Sequence, residues 1–129
     1  MSDLIYVLLV AHFIGDFLCQ SDWMALNKSK RWDALAIHVG IYALVLYACV
    51  PLVAIALGVP PPHGSATLMM PLFALVNFNL HFWQDAITSR INAKLWQANQ
   101  RHWFFVGIGA DQLLHYITLF VTADLWLRP

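Results

Sequence analysis

LIYVLLVAHFIGDFLCQ, residues 4–20, is an apolar run into which one histidine and one aspartate are set, with a glutamine at its end. His12 and Asp16 stand four residues apart, so a helix places both side chains on one face about one turn apart. The same spacing returns in His81-Phe-Trp-Gln-Asp85 and in Asp111-Gln-Leu-Leu-His115, again inside apolar sequence. An ionised Asp near the centre of a spanning helix costs on the order of 3 kcal/mol even on lenient insertion scales. Three of them demand compensation, and the search for function starts there.

The surroundings justify treating these segments as membrane spans. Of 129 residues, 60% are hydrophobic and 11% charged, and there is no glutamate; a soluble domain carries about 25% charged residues. Net charge is zero and the cations are clustered rather than spread, which argues against a nucleic-acid surface. Cys19 and Cys49 fall in apolar segments without a Cys-x-x-Cys spacing and read as small buried hydrophobes, not as a disulfide.

Four apolar stretches emerge, 4–20, 34–58, 68–88 and 103–127, each near the roughly 17 to 25 residues that cross a bilayer. They predict an all-α, polytopic integral membrane protein, a four-transmembrane-helix bundle forming a single domain over residues 1–129. The first stretch has no basic residue before it and no small-residue cleavage site, unlike a removed signal peptide. Six of seven cationic side chains lie in segments 21–33 (Lys28, Lys30, Arg31) and 89–102 (Arg90, Lys94, Arg101), whereas 59–67 holds Pro60, Pro61 and Pro62 and no basic residue. The positive-inside rule puts the two basic loops in the cytoplasm and both termini outside it, with Trp23, Trp32, Trp96 and Trp103 in interfacial belts. No repeat, low-complexity run or long linker divides the chain.

With this topology His12, Asp16, His38, His81, Asp85, Asp111 and His115 all fall in the cytoplasmic half. They lie within roughly 6 to 18 Å of the inner helix ends, so a bundle can bring them together. The columns continue at four-residue spacing through His12, Asp16 and Gln20, through Asn77, His81 and Asp85, and from His38 to Tyr42. Such columns supply both metal ligands and the hydrogen bonds that orient them.

Three explanations compete for the cluster. Imidazole and carboxylate suit a divalent metal, zinc first with iron or manganese as alternatives, whose charge would stabilise the buried carboxylates. A proton or metal-ion path would use the same residues in turn, and a purely packing role would have them join helix to helix. Three pairs on three helices in one leaflet favour metal, because small residues join helices more cheaply; haem ligation needs no carboxylates.

The metal ligands expected are His12, Asp16, His81, Asp85, Asp111 and His115. His38, which has no Asp four residues away, is the expected acid/base, with Asp16 as a further catalytic or orienting group. The chemistry would be hydrolysis by a metal-activated water. The expected partners are the lipid bilayer, an anionic lipid or small-molecule substrate drawn by the basic loops, and a second copy of the chain; nucleic acid is not among them. Against that role for the basic residues stands simple orientation of the chain. No phosphate-cradling glycine loop, Ser nucleophile motif or nucleotide fingerprint occurs. His63 and His102 read as loop residues and Asp22, Asp33 and Asp124 as interfacial. The outer half offers few polar residues, Thr118 and Thr122 among them, which favours a one-sided pocket over a transport route.

The run His12-Phe-Ile-Gly-Asp16-Phe-Leu-Cys-Gln20-Ser-Asp-Trp23, with Lys28, His38, His81-Phe-Trp-Gln-Asp85 and Asp111-Gln112-Leu-Leu-His115, resembles the bacterial membrane-protein family known as domain of unknown function 3307. The resemblance spans almost the whole chain and implies an uncharacterised protein of the bacterial inner membrane, with no activity attached. Intramembrane CAAX-type proteases are a weaker analogy: they also place His-x-x-x-Asp/Asn on a helix, but their catalytic glutamates have no counterpart here.

Overall fold

The computed structural model describes residues 2–58 and 66–127, and all regular structure in them is helical. The expected loop prolines Pro60, Pro61 and Pro62, and His63, lie outside the described residues. Helix α1 (Ser2–Phe13) runs into a π turn over Ile14–Leu18, followed by the short α2 (Asp22–Asn27) and the long α3 (Trp32–Ala56), α4 (Ala66–Gln97) and α5 (Arg101–Trp126). Helix α1 packs on α3 and α5, α3 on α4, and α4 on α5, so four long helices surround one interior.

The first expected helix, 4–20, is interrupted. Cys19 N–H reaches back to the Ile14 carbonyl at 2.9 Å, five residues away, which defines the π turn. The extra residue in this turn rotates Asp16 relative to a regular helix, and such turns recur at functional sites. Gly15 is needed there: a Cβ would come 2.9 Å from Tyr42 Cδ2 and 3.4 Å from Tyr42 Cα. Ser21 then caps α2 through the Met24 N–H.

The segment 89–102, expected as a loop, is largely helix. Helix α4 continues nine residues beyond Thr88, because loss of hydrophobicity does not oblige a helix to stop. Arg90 stacks its guanidinium 4.2 Å over the Trp32 ring and Asn92 is buried. The end comes at Ala98–Gln100, where Asn99 takes a left-handed φ of 56°. Asn99 N–H bonds the Trp96 carbonyl and Gln100 N–H the Leu95 carbonyl, the pattern of a Schellman motif. This turn folds α5 back along α4.

Two helices, Trp32–Ala56 and Arg101–Leu125, are long and apolar enough to cross a membrane. The four-span expectation is therefore met by length and composition in only two: α1 is short before its π turn, and α4 carries Asn77, Asn79, His81, Gln84 and Asp85 in its middle. Side chains are distributed inside out for a water-soluble domain. Leu44, Leu52, Ile55, Leu75, Trp83 and Leu125 are exposed, while His12, Asp16, His38, His81, Asp85 and His115 are buried, and such inversions are the informative ones. An apolar core of Val7, Leu8, Leu46, Val50, Phe73 and Leu119 fills one end of the interior. A smaller cluster of Leu35, Val39 and Ala86, with Phe78 and Phe82 against it, joins α3 to α4 beside the polar residues.

Candidate metal centre

Four helical segments deliver the polar residues to one layer: His12 and Asp16 from α1 and its π turn, His38 from α3, His81 and Asp85 from α4, Asp111 and His115 from α5. Asp16, His38, His81 and Asp85 form one group and Asp85, Asp111 and His115 a second, each residue offering a ligand atom within 4.8 Å of the others in its group. Asp85 belongs to both.

The first group is tightly defined. His38 Nε2 lies 3.1 Å from Asp16 Oδ1, 3.3 Å from Asp85 Oδ2 and 3.4 Å from His81 Nε2. His81 Nε2 lies 3.4 Å from Asp16 Oδ1 and 3.7 Å from Asp85 Oδ2. A tetrahedral ion with bonds of about 2.0–2.2 Å needs donors about 3.3–3.6 Å apart. The donor set, two imidazoles and two carboxylates, also suits zinc, iron or manganese.

Neighbours hold these groups in place. Gln112 Nε2 donates to Asp16 Oδ2 at 3.0 Å, leaving Oδ1 turned to the two imidazoles. Tyr42 stacks on His81 with centroids 4.0 Å apart; the His81 Nδ1 itself has no hydrogen-bond partner. Thr88 Oγ1 donates to Asp111 Oδ1 at 2.5 Å.

Two of the expected site residues lie differently with respect to the donor groups. His38, expected outside the ligand set as an acid/base, has its Nε2 in the middle of the four-donor group. His12, expected as a ligand, belongs to neither group. Its Nε2 lies 3.0 Å from Gln112 Oε1, an acceptor only, so Nε2 carries the proton; Nδ1 then accepts from the Tyr42 hydroxyl at 3.0 Å. Both nitrogens are engaged and no lone pair is left for a metal. Of the column residues, Asn77 bonds Thr122 on α5 instead of joining the cluster, and Gln20 Oε1 is buried without a partner.

Lys28 was expected to orient the chain or attract an anion; instead its Nζ donates to Asp85 Oδ2 at 2.8 Å, its side chain 17% exposed. Burial works against its charge, but Asp85 and Asp16 outweigh it and hold the pKa above the ordinary lysine value. Gln112 likewise gave no signal beyond lying next to Asp111. Of the other residues set aside, His102 is exposed in the first turn of α5 and Asp33 pairs with Arg31 at 2.6 Å. Cys19 and Cys49 are free thiols, with Cys19 exposed rather than buried.

With neutral imidazoles, Asp16, Asp85, Asp111 and Lys28 leave the centre a formal charge of minus two, the amount one divalent ion cancels. A cavity of about 420 Å³, lined by Lys28, Lys30, Ser89, Asn92, Trp96 and Phe104 among others, leads to Asp16, Asp85 and Asp111 from the end that carries the basic residues.

The family model described as "Protein of unknown function (DUF3307)" matches residues 4–128. No curated protein and no solved structure matches the chain.

Proposed function

The chain belongs to the DUF3307 family of proteins of unknown function, and we propose, from its own residues, that it is a membrane-embedded metalloprotein that hydrolyses a membrane-associated substrate. The observation carrying this reading is the convergence of Asp16 Oδ1, His38 Nε2, His81 Nε2 and Asp85 Oδ2, with His–Asp and His–His separations of 3.1–3.7 Å, close to the donor spacing that a single small cation needs.

Four spans in a bacterial inner membrane are part of this proposal. The exposed apolar flanks of α1, α3, α4 and α5 support it, as do the exposed Trp23, Trp32, Trp96 and Trp103 near helix ends. Lys28, Lys30, Arg31, Arg90, Lys94 and Arg101 gather at the end nearer the polar layer, so that end faces the cytoplasm and the termini face away. In this proposal α1 with its π turn and the long α4 complete what α3 and α5 begin.

Zinc is the first choice of metal. A bound ion would lower the pKa of a water and polarise a carbonyl or phosphoryl oxygen. Asp16, His38, His81 and Asp85 would hold the ion, Gln112 and Tyr42 would fix its ligands, and the cavity would admit an anionic substrate past Lys28 and Lys30. Hydrolysis would need a coordination position left open by the protein donors, where the water oxygen would replace the leaving group on the acyl or phosphoryl centre and its proton would pass to that group.

The competing ion-path reading meets an apolar barrier: Val7, Leu8, Leu46, Val50, Phe73 and Leu119 pack beyond the polar layer. Elemental mass spectrometry of untagged protein purified in detergent separates the possibilities. Stoichiometric zinc, iron or manganese in the wild type, lost in His81→Ala and Asp85→Ala that still elute as folded protein, supports the metal centre. No metal in folded wild type after supplying these ions removes it. Hydrolysis of ester or phosphoester probes that needs the metal would then distinguish an enzyme from a static site.

A further inference from the structure

Asp85 turns its two carboxylate oxygens toward different partners. Oδ2 faces His38 Nε2 at 3.3 Å and His81 Nε2 at 3.7 Å, whereas Oδ1 faces His115 Nε2 at 3.5 Å. His115 is 2% exposed, yet neither of its ring nitrogens has a hydrogen-bond partner among the described residues. Its Nδ1 sits 3.6 Å from Asp111 Oδ1. A buried imidazole with two unsatisfied nitrogens between two carboxylates is costly unless something binds there.

We propose that the centre is dinuclear: Asp85 bridges the ion held by Asp16, His38 and His81 to a second divalent ion held by Asp85, Asp111 and His115. The proposal rests on the metal centre above and adds a second site to it. The two sites differ in kind. Four protein donors close the first, whereas three serve the second, the arrangement that keeps a position open for water or substrate. The open site borders the cavity, whose lining includes Asp85, Asp111 and Thr88. Ser89 Oγ and Gln20 Oε1, also in that lining, are buried without hydrogen-bond partners among the described residues.

Charge assigns the substrate class. One divalent ion neutralises the centre, and a second gives it a net charge of plus two, with Lys28 alongside. The ligand that balances this is an anion presenting paired oxygens, a phosphoester, which two neighbouring ions would clamp during displacement.

The test is metal stoichiometry of the full chain in detergent, with zinc by elemental mass spectrometry and manganese by electron paramagnetic resonance. Two zinc ions per chain in the wild type, falling to one in Asp111→Asn and in His115→Gln, are expected, and in the manganese-loaded wild type an exchange-coupled pair signal. The manganese spectrum needs no variant, so it decides even if both substitutions unfold the protein. Saturation at one ion with an uncoupled spectrum overturns the second site and leaves the first standing; no ion at all removes both.

Discussion

Lys28 Nζ and Asp85 Oδ2 lie 2.8 Å apart, joining the turn after α2 to the middle of α4 across 57 residues of sequence. Asp85 is the carboxylate shared by both donor groups, so the ammonium occupies the position from which it competes most directly with a metal cation. Without a metal it supplies positive charge beside the clustered carboxylates.

Replacing Lys28 by Met removes that competitor. Metal-free protein should lose up to about 3–5 kcal/mol, the cost of a buried charge left without its partner, while zinc affinity rises at least about tenfold because a like charge a few ångströms away is gone. Thermal melts with and without zinc check this. An equal fall in both states would mean that Lys28 serves packing alone.

His12 and His81 should separate cleanly. His12→Ala retains the metal, with affinity reduced by about 10–100-fold through loss of an orienting neighbour, whereas His81→Ala removes a ligand and the first ion with it. Elemental analysis of the two variants after identical dialysis measures the difference, and metal lost equally from both would restore His12 to the ligand set.

Gln112 joins His12 Nε2 to Asp16 Oδ2. Gln112→Leu strands two buried polar groups, for about 1–3 kcal/mol each, and leaves Asp16 free to turn away from the metal. Zinc titration by calorimetry should show weaker binding at unchanged stoichiometry; unaltered affinity would show that Asp16 needs no such support.

Glycines report on helix approach. Gly15→Val collides with the Tyr42 ring and the Val45 Cβ, an overpacking cost of about 1–3 kcal/mol that also disturbs the ring stacked on His81. Gly40→Ala meets nothing within 4 Å and should gain as much as about 1 kcal/mol from helix propensity. Denaturation midpoints in one detergent compare them, and similar losses for both would contradict the close approach of α1 to α3.

Orientation has its own marker in Cys19, exposed just past the π turn. A membrane-impermeant maleimide should label it in inside-out vesicles and not in spheroplasts. The reverse pattern would put the metal centre on the outer side.

Periodicity and composition made much of this legible. The long helices begin and end within about two residues of their sequence-read limits at α3 and α5. The His/Asp pairs do lie on one interior layer, since four-residue spacing fixes which side chains share a face. The end of α4 was not legible because its last nine residues are held by Arg90 on Trp32 and by the Asn99 turn, neither of which shows in a hydropathy pattern. The place of His12 beside the donor groups was equally hidden, because Gln112 and Tyr42 arrive from other helices to engage both its nitrogens.

The sequence by itself determined a helical chain rich in apolar residues, basic residues grouped in two segments, and at least one His or Asp at matching depth on every long helix. Only the tertiary structure decided which of those residues converge, that Lys28 enters among them, and that Asp85 faces two donor groups at once. The physical reason is range. Spacing along one helix fixes a face, but the rotation of that face, reset at Ile14–Leu18 by a π turn closed against Tyr42, depends on contacts between residues far apart in the chain.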